Sequence, residues 1–452
     1  MATSGRASSK GPIAPSDTPE AHADAKVEKA PDDSSKLKTF LGILRRFIGV
    51  SDLAAIRFSL PAQLIEPIPN LEYWNYLDRP ETFISIGDSE DPVGRMLGTL
   101  RFWFTKDLKY VKGKPVKPYN SVIGEFFRAQ DTSLPLKHPN SAPPSSAASI
   151  NSKNSEITAT SGEKVRVSFL TEQTSHHPPV SAFYIDCPQK GITAKGYDHL
   201  CAKFTGTSIR VTAGAHNLGI FITLDNRDGE QYQLTHPAAH LGGLLRGTLS
   251  ISVADSCFVV CPKTRLKVIL EYLEEGWLGR TQNKVIGLIF YYDPANDTKT
   301  KIKEVAESDI VARIEGNWQD KIYYSLGSTP FAKAAEKIEL IDLNPLFPVE
   351  KSVPPENMQL PNESRRFWKG VTEAIIGRKF GLATTLKQEL EEAQRKKEKE
   401  REASGTEWQP RFFTGAVTPV GKPDLTPDGL KALDGLHKGV FELEDPKEYA
   451  AF

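Results

Sequence analysis

The sequence predicts an α+β protein: a large antiparallel β body with helices before and after it. Three observations predict this. Short runs rich in Val, Ile, Phe, Tyr and Thr follow one another from 164 to about 342, separated by Gly, Asp, Asn and Pro. No stretch between them is long enough for a βαβ crossover helix, which argues against a parallel doubly wound sheet. Helical patterns flank the body on both sides, at 37–48 and from 363 to 402.

The elements follow in order. Residues 1–34 are rich in Ser, Ala, Pro, Asp and Lys and are expected to form a disordered tail. "SSKLKTFLGILRRFIGVSDL" then sets Leu37, Phe40, Leu41, Leu44, Phe47 and Ile48 on one stripe of a helix over 35–50, with Ser34 or Ser35 as its cap. Lys36, Lys38, Arg45 and Arg46 flank the stripe, and no acid appears before Asp52. Such a helix either packs on a core or lies on anionic lipid. "EDPVGRMLGTLRFWFTKDLK" (90–109) reads as a second helix with Pro92 in its first turn. Residues 131–162 are polar and low in complexity, as expected of a disordered surface insertion. The β body spans 163–342, in antiparallel meanders that curl into a large barrel or sheet. "VPPENMQLP" interrupts the pattern. The C-terminal region, 360–450, is mostly helical up to 402 and holds a further short helix at "DGLKALDGL".

Net charge is zero, so no bulk attraction for nucleic acid is expected. Cys187, Cys201, Cys257 and Cys261 form no CxxC pair and fit neither a zinc module nor a disulfide framework. Free thiols in a reducing compartment are expected. No apolar run approaches the roughly 20 residues that span a bilayer, and the N-terminus lacks the apolar core of a secretory signal. The expectation is a cytoplasmic protein that meets membranes peripherally.

Three stretches carry candidate chemistry. In "TEQTSHHPPVSAF" (171–183), His176 and His177 abut Pro178 and Pro179. Pro178 biases His177 toward extended geometry, where adjacent side chains point to opposite sides. A metal site needs three or four converging ligands, and neither HExxH nor a GxSxG elbow is present. A proline-rigid turn with hydrogen-bonding imidazoles and a ligand contact both remain open. In "GKPVKPYNSVIGEFF" (113–127), Lys117 and Asn120 offer a charge and an amide in a proline-punctuated turn. In "KQELEEAQR", Lys387, Glu391 and Arg395 share one helical stripe, with Glu391 placed to brace Arg395. This is either a solvated salt-bridge ladder or a pair of cations aimed at a phosphate.

Together these stretches resemble the oxysterol-binding protein (OSBP) family. "EQTSHHPP" is similar to its fingerprint E-Q-x-S-H-H-P-P, and "KPYNSVIGE" to its K-P-x-N-P-x-x-G-E stretch. "ESRRFW" with "KQELEEAQR" resembles its C-terminal helical region, and "GNWQDKIYY" its G-x-W…I-Y strand. The resemblance covers 35–450 and suits a short fungal-type member with no pleckstrin-homology domain. It implies a nearly closed β-barrel around an apolar tunnel, with residues 35–50 as its lid. It also implies a lipid-transfer protein, not an enzyme, that carries one sterol or phosphatidylserine molecule and exchanges it for phosphatidylinositol 4-phosphate. On this likeness Lys117, Asn120, His176, His177, Lys387, Glu391 and Arg395 contact the inositol phosphate. A sensor that binds lipid without moving it is an alternative, and a histidine-dependent metalloenzyme a remote one. No metal and no cofactor is expected, contact with membranes is transient, and the chain is expected to be a monomer. Ser121 stands where the family has proline, and Thr174 where it commonly has valine. "EFFRAQD" also resembles a two-phenylalanine acidic tract for an endoplasmic-reticulum receptor, but its overlap with Gly124 and Glu125 favours a buried strand.

Overall fold

The computed structural model describes residues 28, 33–53, 62–112, 117–133, 164–244, 249–273 and 283–444. Most of the predicted tail and the predicted insertion from 134 onward lie outside these residues.

Fifteen strands form one sheet, and every ladder between them is antiparallel. In chain order they are β1 (Phe126–Ser133), β2 (Val165–His176), β3 (Pro179–Cys187), β4 (Ile192–Asp198), β5 (Leu200–Phe204), β6 (Ile209–Ala213), β7 (Ile220–Leu224), β8 (Glu230–Leu234), β9 (Ala238–Gly242), β10 (Ser250–Cys261), β11 (Leu266–Tyr272), β12 (Lys284–Tyr291), β13 (Ile310–Asn317), β14 (Lys321–Leu326) and β15 (Ile338–Asp342). The sheet therefore begins at Phe126, ahead of the predicted body, and residues 131–133 belong to β1 instead of the insertion. The polar segment interrupts a hairpin, because β1 and β2 pair directly across it. "TLSISVA" and "SCFVVC" form the single strand β10, whose first half pairs with β9 and whose second half pairs with β8 and β11.

Alternation sorts the strand residues between two faces. Phe169, Phe183, Ile185, Ile192, Ala194, Ile220, Ile222 and Leu234 join the main core on one face. They pack against α3 (Pro80–Ile84) and α4 (Pro92–Thr105). On the other face Leu170, Val180, Ala182 and Tyr197 meet Phe412, Phe413 and α9 (Pro427–Lys438). Helix α4 starts where predicted. The Asp91 carboxylate accepts from the Gly94 N–H at 3.1 Å, and Pro92 opens the first turn. The sheet leaves a seam between β1 and β15. The chain after β15 returns to it, with Ser352 and Gln130 exchanging backbone hydrogen bonds of 2.8 and 3.2 Å.

The remaining helices are α1 (Asp33–Leu44), α2 (Asn70–Tyr73), α5 (Leu108–Lys112), α6 (Ser364–Phe367), α7 (Lys369–Ile376) and α8 (Phe380–Ser404). Helix α1 begins at Asp33, ahead of both predicted caps, and gives way to a 3-10 turn over Arg45–Phe47, so residues 48–50 are not helical. The stretch from 364 to 404 is three helices, broken between α7 and α8 where Arg378 takes φ +56°.

Candidate functional site

Lys117 and Asn120 stand at the end of a pinned turn. The Lys117 carbonyl accepts from the Glu66 amide at 3.0 Å, and the Tyr119 amide donates to Ile68 at 3.2 Å. Tyr119 stacks on Trp368 with ring centroids 4.6 Å apart. The Lys117 ammonium donates to the Asn120 side-chain oxygen at 2.6 Å. The side chain is exposed at the surface, while protein atoms crowd its ammonium. That confinement, and then the Lys387 ammonium nearby, lower the Lys117 pKa to about 8.

Glu125, the acid of the same stretch, is framework. It is fully buried and accepts from the Val122 amide at 3.1 Å, the Ser364 hydroxyl at 2.7 Å and the Trp368 indole at 3.1 Å. Burial nevertheless pushes its carboxyl up to about 7. Beside it, the Gly124 amide donates to the Gln173 carbonyl at 2.9 Å, with Gly124 at φ +75°. This bond ties the lysine turn to the histidine strand.

The fingerprint occupies the end of β2 and its turn into β3. Glu172 is also buried, and each of its oxygens takes one backbone amide, from Arg411 and Phe412, at 2.8 Å. Burial again raises the carboxyl, to about 7. Thr174 is fully buried and its hydroxyl donates to the Ala416 carbonyl at 2.6 Å. The Ser175 hydroxyl donates to the Pro178 carbonyl at 2.8 Å, and the His177–Pro178 peptide is cis. His176 is half-buried and His177 exposed, with their rings edge to face at 4.6 Å.

Helix α8 supplies the third stretch. Lys387 is only 3% exposed, and its ammonium lies 2.6 Å from Glu391. The other Glu391 oxygen is 3.5 Å from Arg395, whose side chain is largely in solvent. The first turn of α8 carries no acid of its own. Glu28 takes that part: its carboxylate accepts from the Gly381 amide at 2.7 Å, and its own amide donates to the Arg378 carbonyl at 2.8 Å.

Lys117, Asn120 and Lys387 are thus gathered at one place, with Glu391 and Arg395 continuing the stripe outward. The imidazoles form their own pair, three residues along β2 from the Gln173 carbonyl that fixes the lysine turn. Among the described residues, no three His, Cys, Asp or Glu side chains gather as a metal would require.

The expected lid packs on two sides. Leu41 and Leu44 are buried with Leu53, Phe204, Ile209 and Leu244, and Phe47 is partly buried there. Phe40 touches this group and also the cluster around Trp368. Asp52 and Leu53 then bond both backbone groups of Ala202 in β5, at 2.9 and 2.6 Å. Ile48 departs from the predicted stripe and is 64% exposed, because the helix has already ended. The Leu37 side chain lies outside the described residues.

A second polar group was missed by the sequence reading. Asp198 and His236 continue the inward alternations Ile192–Ala194–Gly196 and Tyr232–Leu234 with ionisable side chains. The Tyr76 hydroxyl donates to Asp198. The His236 ring lies 5.8 Å from both Tyr76 and Trp103, and the Trp103 indole donates to the Tyr272 hydroxyl at 2.9 Å. Burial drives Asp198 up to about 7. Burial, then the Lys106 charge, drives His236 down to about 3 and keeps it neutral. Its Nε2 atom is buried without a protein partner among the described residues. A break in apolar parity was the available signal.

The family model described as oxysterol-binding protein matches residues 39–375. The chain is 41% identical to oxysterol-binding protein-like protein 1 of Schizosaccharomyces pombe, over 91% of this chain and 93% of that one. It is 29% identical to human oxysterol-binding protein-related protein 11, over 79% of this chain and 45% of that longer protein. In structure it is similar to the Osh1 ORD domain solved with cholesterol, with a TM-score of 0.65 and 18% identity over 93% of both chains. The Osh3 ORD of Saccharomyces cerevisiae, solved with PI(4)P, gives a TM-score of 0.60 and 16% identity over 92% of this chain and 95% of that one.

Proposed function

The chain is a member of the oxysterol-binding protein family, and on that premise we propose that it binds one lipid at a time and exchanges it for phosphatidylinositol 4-phosphate between membranes. The observation that carries this reading is the pairing of Lys117 with a buried Lys387. Two ammoniums in electrostatic reach of each other repel, and that repulsion adds to the burial that chiefly lowers the Lys117 pKa. A phosphate between them relieves that repulsion through charge-assisted hydrogen bonds. Asn120 adds an amide, the His176–His177 turn adds imidazole donors, and Arg395 a bidentate fork at the outer end. On this reading the set binds and orients a headgroup, and the exchange requires no bond to be broken.

For the second cargo, the interior group around His236 favours a sterol over phosphatidylserine. A neutral imidazole with an unfilled Nε2, beside a carboxyl and a tyrosine, suits a single hydroxyl on an apolar body. The solved relatives with cholesterol and with PI(4)P agree in kind with these two cargoes.

The test replaces His176 and His177 with Ala and follows phosphatidylinositol 4-phosphate transfer between liposomes. A large loss of transfer supports the headgroup assignment, and undiminished transfer sinks it. Comparing transfer with equilibrium binding separates a carrier from a sensor. Deleting residues 36–50 should make cargo retention leaky if this segment is the lid.

A further inference from the structure

Beside the histidine turn, three aliphatic side chains from two separate segments stand in solvent. Val417 and Val420 lie on the loop between Phe413 and Leu425, and Leu218 on the connection from β6 to β7; Val420 is 60% exposed. The two segments meet where the Leu218 side chain packs on Gly421, the residue after Val420: a Cβ there would fall 2.8 Å from the Leu218 Cβ. The loop is held in shape by its own backbone. Thr414 bonds Asp424 at 2.9 Å, Gly421 bonds Thr418 at 3.1 Å, and the Thr418 hydroxyl meets both the amide and the carbonyl of Lys422 at 3.1 and 3.0 Å. Gly415 and Gly421 take φ of +82° and +69°, which side-chain-bearing residues rarely adopt. Its position is set by the fingerprint itself: the Thr174 hydroxyl, two residues before His176, grips the Ala416 carbonyl.

We propose that Val417, Val420 and Leu218 form a fixed apolar wedge that enters the headgroup layer of a bilayer while the neighbouring histidine turn engages a lipid headgroup. The inference rests on the headgroup reading above and adds the surface by which the protein meets the membrane. Two features select a bilayer over a protein partner. Three aliphatic side chains make far too small a patch for a stable protein interface, which needs about 1,000 Å², yet they suffice to strengthen a peripheral lipid contact. The loop is also tied to the histidine strand through Thr174, two residues before His176, which sets the wedge next to the headgroup site that a membrane lipid would enter. Lys195 and Lys422 sit at its base, with Lys422 against Phe221 at 4.7 Å and Lys195 bridged to Asp424 at 2.7 Å.

The experiment uses the full chain and vesicles of phosphatidylcholine with phosphatidylserine. The double variant Val417→Asp, Val420→Asp should lower vesicle partitioning roughly tenfold, the loss of two part-buried aliphatic contacts. Its binding of soluble glycerophosphoinositol 4-phosphate should stay unchanged. A second variant, Val420→Trp, places a reporter in the wedge, and its fluorescence should be quenched by lipids brominated in the upper acyl chain. Partitioning that survives the aspartates, or a tryptophan that is not quenched on bound vesicles, overturns the wedge. Failure of the unaltered protein to bind the soluble headgroup instead overturns the headgroup reading, and the quenching result still decides the wedge.

Discussion

The Lys387 ammonium lies 2.6 Å from the Glu391 carboxylate one helical turn further on, and it is nearly sealed from solvent. A buried cation held this way is costly to strip of its counter-charge. Glu391→Ala should lower stability by about 1–3 kcal/mol, less than for a fully buried pair because Glu391 is partly solvated. It should also weaken phosphate binding by removing the brace on Arg395. Urea denaturation and calorimetric titration with the soluble headgroup read the two effects separately.

Lys117 makes the site sensitive to alkaline pH. Its folded pKa of about 8 lies below the ordinary lysine value of 10.5. Below pH 8 the ammonium is present and phosphate binding is strongest. Headgroup affinity should therefore fall as pH rises through 8, and binding near pH 8 should take up a proton. For folding the sign is opposite, since the unfolded chain holds the proton longer and stability gains between about 8 and 10.5. Lys117→Arg should flatten the affinity profile above pH 8, and titrations in buffers of different ionisation enthalpy give the proton count.

Glu172 titrates in the other direction. Its folded pKa is raised to about 7 from 4.5, so the stabilisation it lends is full below 4.5 and lost as pH rises through 7. Glu172→Gln should shrink that slope between pH 4.5 and 7. It should also cost about 1–2 kcal/mol, because an amide oxygen can serve only one of the two backbone donors at 411 and 412. Thermal melts across this pH range report both changes.

Ser121 is buried, and its hydroxyl has no partner among the described residues. Ser121→Ala should be neutral, or stabilising by up to about 1 kcal/mol, through removal of an unsatisfied polar atom. A clear loss of melting temperature would contradict this.

Period-two runs exposed most strands, because the sheet is buried on one face along much of its length and apolar residues recur there at every second position. Strands such as β4, "ITAKGYD", escaped that pattern, since Gly196 and Asp198 occupy its inward positions. Segment ends were less legible: nothing local in "RRFIGV" says that α1 stops at Leu44. For the candidate site, spacing was enough to put Lys387, Glu391 and Arg395 on one stripe. It could not reveal that Lys387 is sealed in while Arg395 is not, since that depends on segments such as the Lys117 turn, far away along the chain. Glu125 and Glu172 read as plain motif letters, although only tertiary contacts give them their work. The Thr174 hydroxyl, a small departure from the resembling family, proved to hold a loop more than two hundred residues downstream.

Glu172 also bears on where the protein can be cut. The family match ends at 375, and a shortened form stopping there would keep every strand. It would also remove the amides of 411 and 412 and leave a carboxylate sealed in the sheet with nothing to donate to it. The octapeptide is thus a joint between the first hairpin and the tail end of the chain. The smallest portable version of this protein must run through α9, well past the end of the family match.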